Sequence, residues 1–133
     1  MTQTLKYLGP DWRDEVEKRL KQDLTPEKMN FISSSMSNIY TNCPDGQDRY
    51  LFFEFMDGVF SRVLTGTGDP PQAEFRITGN YDVFASISRA ELGSHKALMT
   101  GKLKLKGNMV KALKLASVAD RINKVIATVP TDY

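Results

Sequence analysis

Residues 49–65 limit what this chain can fold into more than any other stretch. Leu51, Phe53 and Phe55 alternate with Phe52, Glu54 and Met56, a period of two that puts one set of side chains on each face of a strand. Asp57-Gly58 follows, the kind of two-residue sequence that closes a tight hairpin, and residues 59–65 supply the returning strand. A chain with such a hairpin must build a sheet, and its other elements must cover the apolar face.

The neighbouring segments read the same way. Residues 36–42 suit a short strand, and Cys43-Pro44-Asp45-Gly46-Gln47-Asp48 is dense in turn formers. After a second turn at Gly66-Thr67-Gly68-Asp69-Pro70-Pro71, the alternation of Ala73, Phe75 and Ile77 with Glu74, Arg76 and Thr78 predicts a half-buried strand. Three consecutive antiparallel strands joined by turns form a meander. Lys102-Leu103-Lys104-Leu105-Lys106 alternates cleanly and predicts a fifth strand with its leucines inward. Helical spacing appears in three regions. Asp11 reads as an N-cap for a helix carrying Trp12, Val16, Leu20 and Leu24, and Thr25-Pro26 restarts the pattern with Met29 and Ile32 inward. Residues 81–89 suit a helix, followed by a short turn from Ser94 through Met99. From Met109 the helical period runs to Val129, and periodicity leaves open whether it breaks near Ser117. Strands in a run, then helix, then a further strand predict an α+β fold with helices on one face of a mostly antiparallel sheet. At 133 residues the chain is expected to form one domain over 1–133.

Several chemistries find no support. Cys43 is the only cysteine, so an internal disulfide is impossible. His95 is the only histidine and lies in a polar Gly-Ser-His-Lys stretch, so neither it nor Cys43 is expected to be catalytic. Asp45, Asp48 and Asp57 lack the spacing of a calcium loop, and no metal or cofactor is expected. Gly66-Thr67-Gly68-Asp69 runs into two prolines where a phosphate-binding helix would have to begin. Residues 1–90 carry ten Lys/Arg against thirteen Asp/Glu, whereas residues 91–133 carry eight against three. Residues 91–132 contain no Phe, Tyr or Trp, so this basic third offers no stacking platform, and no nucleic-acid partner is expected. No run approaches the ~20 apolar residues of a membrane span. The start of the chain lacks a signal core and its end is no Ser-Lys-Leu address, so a cytoplasmic location is expected.

The segment Ala97-Leu-Met-Thr-Gly-Lys-Leu-Lys-Leu-Lys-Gly-Asn-Met109 resembles the signature of the sterol carrier protein-2 family, in which a Gly-Lys-Leu-Lys strand leads through Gly-Asn-Met into a helix. Ala112-Leu-Lys-Leu115 is similar as well, and the likeness extends in pattern over about residues 12–118. It implies a five-stranded sheet covered by helices and an apolar tunnel for a fatty acid, fatty acyl-CoA or sterol-like lipid, held without catalysis. The tunnel lining it implies comprises Phe75, Ile77, Phe84, Ile87, Met99, Leu103, Met109 and Leu113. All of these but Met99 are expected to be buried in any compact version of the fold, so the core and lining roles compete. Lys102, Lys104 and Lys106 share one strand face and are expected either to touch lipid headgroups or an anionic membrane, or simply to keep an edge strand soluble. The helical extension over residues 118–129 either caps the tunnel or pairs two copies as a homodimer. The alternative function is an interaction or dimerisation module without lipid.

Overall fold

The computed structural model describes residues 3–133, so the expected domain begins two residues before the described chain. Its elements in order are β1 (Leu5–Lys6), α1 (Pro10–Asp23), β2 (Ser34–Thr41), β3 (Arg49–Met56), β4 (Val59–Thr67), β5 (Phe75–Asn80), α2 (Tyr81–Ser88), α3 (Ser94–Met99), β6 (Leu103–Lys106), α4 (Met109–Lys114), α5 (Ala116–Ile126) and β7 (Thr131–Asp132).

The main sheet has the order β4-β3-β2-β5-β6. The predicted hairpin forms: Asp57 and Gly58 both take left-handed backbone angles, φ 51° and 80°, as a tight turn between strands requires. Gly58 has a second reason to be glycine, since a Cβ there would stand 2.8 Å from the backbone of Pro26. β2, β3 and β4 make the meander, but β5 does not extend it. The chain crosses back and pairs β5 with β2 in parallel, Met36 opposite Phe75 and Thr41 opposite Asn80. The crossover runs over the sheet's outer face, where the hydroxyl of Ser37 donates to Pro71 O at 2.9 Å. β6 closes the edge antiparallel to β5.

Two helical expectations are corrected. Asp11 is not the N-cap of α1; Gly9 is, and Pro10 takes the first helical position, leaving Asp11 in the first turn near the positive helix end. Thr25-Pro26 starts a single turn only. Thr25 caps it through Lys28 N at 3.3 Å, but Asn30 and Phe31 both adopt left-handed angles and end it. The turn still buries Met29 completely. The long C-terminal pattern breaks at Leu115, which ends α4 and begins α5.

The helices lie against the sheet's inner face. Trp12, Val16 and Leu20 of α1 are fully buried, as are Ile122 and Ile126 of α5. The apolar stripe of α5 (Val118, Ile122, Val125, Ile126) is thus covered by its own chain and presents no free face to a second copy. A pairing that short strands could not announce joins the chain's two ends. β1 lies parallel to β7, with Leu5 N donating to Pro130 O at 3.0 Å and Tyr7 N to Asp132 O at 2.9 Å. No helix among the described residues is long and apolar enough to cross a membrane.

Candidate functional site

The seam between the inner sheet face and helices α2 to α5 holds two adjoining cavities. The first, about 40 Å³, is walled by β2 and β3 (Met36, Asn38, Tyr40, Leu51, Phe53), by α2 (Phe84, Ile87, Ser88) and by α5 (Ala119, Ile122, Asn123, Ile126). The second, about 60 Å³, lies toward the sheet edge between Phe75, Leu105 and the helical side chains Leu98, Ala112, Leu115 and Ala116. They share Met36, Ile77, Ser94, Leu103 and Ala119 as walls, so they are neighbouring parts of one apolar seam. Their volumes fall well short of the ~300–1,000 Å³ usual for ligand pockets, so the seam is nearly closed. A wider cleft of about 270 Å³ opens elsewhere, between Lys6, Tyr7, Cys43, Arg49 and Tyr81, and is of mixed polarity.

Of the residues expected to line a tunnel, Phe75, Ile77, Phe84, Ile87 and Leu103 border these cavities. Met99, Met109 and Leu113 do not; they are 63%, 45% and 37% exposed. The helical phase explains this, because Ala112, Leu115, Ala116 and Ala119 form the inward stripe and leave Met109 and Leu113 on the solvent side. Val110 is exposed with them, so α4 has no fully buried residue and only Ala112 is half-buried. Lys102, Lys104 and Lys106 are all exposed. Lys104 and Lys106 stand opposite Thr78 and Arg76 on the outer face of β6, the edge strand.

Polar groups at the seam are few. Ser88 is buried and shares a 2.7 Å hydrogen bond with the hydroxyl of Tyr7, which donates to that of Tyr40 at 3.2 Å. Burial raises the pKa of both tyrosines well above the ordinary phenol value, so they remain neutral hydroxyls at physiological pH. The hydroxyl of Ser94 donates to Asp120 Oδ1 at 3.0 Å. Asn38 is the exception: its Oδ1 is buried without a partner among the described residues. A polar atom left that way costs about 1–3 kcal/mol. Sequence reasoning missed Asn38, Tyr40 and Ser88, although Asn38 alternates with Met36 and Tyr40 and therefore had to face inward.

Cys43 is buried, its thiol donates to Tyr40 O at 3.4 Å, and burial raises its pKa, the opposite of an activated nucleophile. His95 is exposed at the start of α3, on the rim of the second cavity. Among the described residues no three His, Cys, Asp or Glu side chains come together as metal ligands.

The sequence profile of the SCP-2 sterol transfer family matches residues 15–120. The chain belongs to that family. Among curated proteins no sequence matches. The SCP-2 fold itself is evident from solved structures. A crystal structure of sterol carrier protein 2 superposes with a TM-score of 0.81 at 19% identity, covering 93% of this chain and 99% of that one. A conserved hypothetical protein from Thermus thermophilus, described as possibly a sterol carrier protein, gives 0.77 at 17% identity over 98% and 94%. Palmitated SCP2L2 from Aedes aegypti gives 0.57 at 16% identity over 91% and 96%. The five-stranded SCP-2 sheet and its helical cover therefore stand as expected, while the seam among the described residues holds two small cavities and no continuous tunnel.

Proposed function

We propose that this SCP-2 domain is a lipid carrier, holding a fatty acid, fatty acyl-CoA or sterol-like molecule in the seam between sheet and helices without reacting it. The observation that carries this reading is the seam itself. Two adjoining cavities with common walls are lined mainly by aliphatic and aromatic side chains, and no charged group borders the first. Admitting a lipid requires the seam to widen, and α4 is the element that moves at least cost. It walls the second cavity through the half-buried Ala112 and has no fully buried residue, so its displacement exposes little apolar surface. Opening there brings Met109 and Leu113 within reach of the guest, and unbranched methionine adapts to varied apolar shapes.

Lipid delivery also requires an approach to membranes. Met99, Met109, Val110 and Leu113 are exposed in a part of the chain where Lys102, Lys104, Lys106, Lys111 and Lys114 are exposed as well. Apolar side chains among cations suit an anionic bilayer surface.

Delipidated protein is expected to bind a fluorescent long-chain fatty acid at one site per chain. Oleate, palmitoyl-CoA or cholesterol should displace it, and native mass spectrometry of the freshly purified protein should show co-purified lipid. A saturating titration in which none of the three displaces the probe would exclude the carrier role and leave the interaction module.

A further inference from the structure

Asn38 occupies a position on the seam where strand alternation calls for an apolar residue and an amide stands instead; a second amide, Asn123 of α5, borders the same cavity. It lies in β2, the central strand, with Met36 and Tyr40 two residues away on the same face. Its cross-strand partners are Leu51 on β3 and Ile77 on β5, and both also line the first cavity. None of these four donates to it, and its buried Oδ1 has no partner among the described residues. A buried amide oxygen that makes no bond within the chain is open to a hydrogen-bonding partner from outside it. With no guest bound, the cavity of about 40 Å³ has room for a water in that role.

Building on the carrier reading, we infer that Asn38 is a specificity-determining residue, which recognises a neutral hydroxyl on an otherwise apolar lipid. A hydroxyl both donates and accepts, so it satisfies the amide whichever way round the carboxamide lies. A plain hydrocarbon would strip the water and leave the amide unpaired. A carboxylate would fare worse, because the cavity wall supplies no cation to offset its desolvation. The guest class is therefore a lipid whose hydroxyl enters the seam: a long-chain alcohol, a hydroxylated acyl chain or a sterol. Any charged headgroup stays outside.

Matched pairs separate these sources: 1-octadecanol with stearate, 12-hydroxystearate with stearate, and cholesterol with 5-cholestene. Each competes with a fluorescent fatty acid on the parent protein and on Asn38→Leu. In at least one pair the parent is expected to prefer the hydroxylated member by about tenfold, the scale of one buried hydrogen bond. Asn38→Leu should bring that ratio to within about twofold, chiefly by binding the plain member more tightly than the parent does, since no amide is then left unpaired. Asn38→Val, β-branched and smaller, should behave alike and serves if leucine overfills the site. An undiminished preference in either folded variant would overturn the assignment, and so would a parent that binds plain lipids but discriminates in no pair. A melting temperature more than about 5 °C below the parent's in both variants would also overturn it, by showing that the amide supports the fold. If no lipid of either kind displaces the probe, the carrier reading falls and this inference with it.

Discussion

Phe84 shows how one side chain serves both the core and the candidate site. Its ring stacks on Tyr40 with centroids 4.3 Å apart and planes 27° from parallel, and it forms part of the wall of the first cavity. Phe84→Ala is expected to cost about 3–5 kcal/mol in urea unfolding of the lipid-free protein, because the neighbouring residues cannot close the gap. Saturating oleate should restore more stability to this variant than it adds to the parent, since the guest fills the space vacated. Equal gains in both would place the lipid elsewhere. Phe84, Ile77 and Leu103 could be assigned from sequence because they sit on the apolar phase of periodic elements. Met99 and Met109 could not, since apolarity says that a residue prefers a face and leaves open whether the helix turns that face inward. Asn38 was missed because a polar residue at an inward strand position carries no hydrophobic signal, although alternation with Met36 and Tyr40 places it on their face.

Among the elements, α4 is the least anchored. It packs on α5 and is tied to the start of β5 by an ion pair from Lys111 Nζ to Glu74 Oε2, 2.6 Å long. Glu74 also accepts from Ser34 Oγ at 2.6 Å, so one carboxylate links β2, β5 and α4. The ammonium of Lys111, helped by the Ser34 hydroxyl, lowers the Glu74 pKa. A lowered carboxylate pKa gives a contribution that is present above the ordinary value of ~4.3 and lost as pH falls through the folded one. Both partners are substantially exposed, so the pair adds little to global stability. Glu74→Gln should therefore speed hydrogen exchange across residues 109–114 at neutral pH while moving the melting temperature by less than about 2 °C. In the parent the same loosening should appear only as pH falls below the ordinary carboxylate range, once intrinsic exchange rates are allowed for. Unchanged exchange in the variant would mean that α4 is held by other contacts. The β3–β4 hairpin was fully legible because its information is local: alternation, a two-residue turn, alternation. The parallel pairing of β5 with β2 was not, because a strand's own sequence does not name its partner across a crossover. β1 and β7 are two residues each, too short to show any period.

At the scale of the whole molecule, the acidic excess of residues 1–90 stands against a basic excess in residues 91–133, which include the edge of the sheet. The edge strand β6 carries Lys102 at its approach and Lys104 and Lys106 along its outer face. Near an anionic bilayer each is worth about 1 kcal/mol, weakened by salt. Flotation with phosphatidylserine vesicles is expected at low ionic strength and should fall several-fold in a Lys102→Gln, Lys104→Gln, Lys106→Gln triple variant. Equal flotation of the two proteins would leave these lysines only the task of keeping the edge strand from pairing with other chains. The junction of β1 with β7 also has a consequence in time. Trp12 Nε1 donates to Thr131 Oγ1 across 119 residues of sequence, so the first helix meets its last partner only when nearly all of this sequence exists. At about 5–20 residues per second of translation, that is a wait of roughly 6–24 s. Throughout that interval Trp12, Val16 and Leu20 lack the cover that α5 and β7 later supply, and a chaperone that reads apolar helices has its opportunity there.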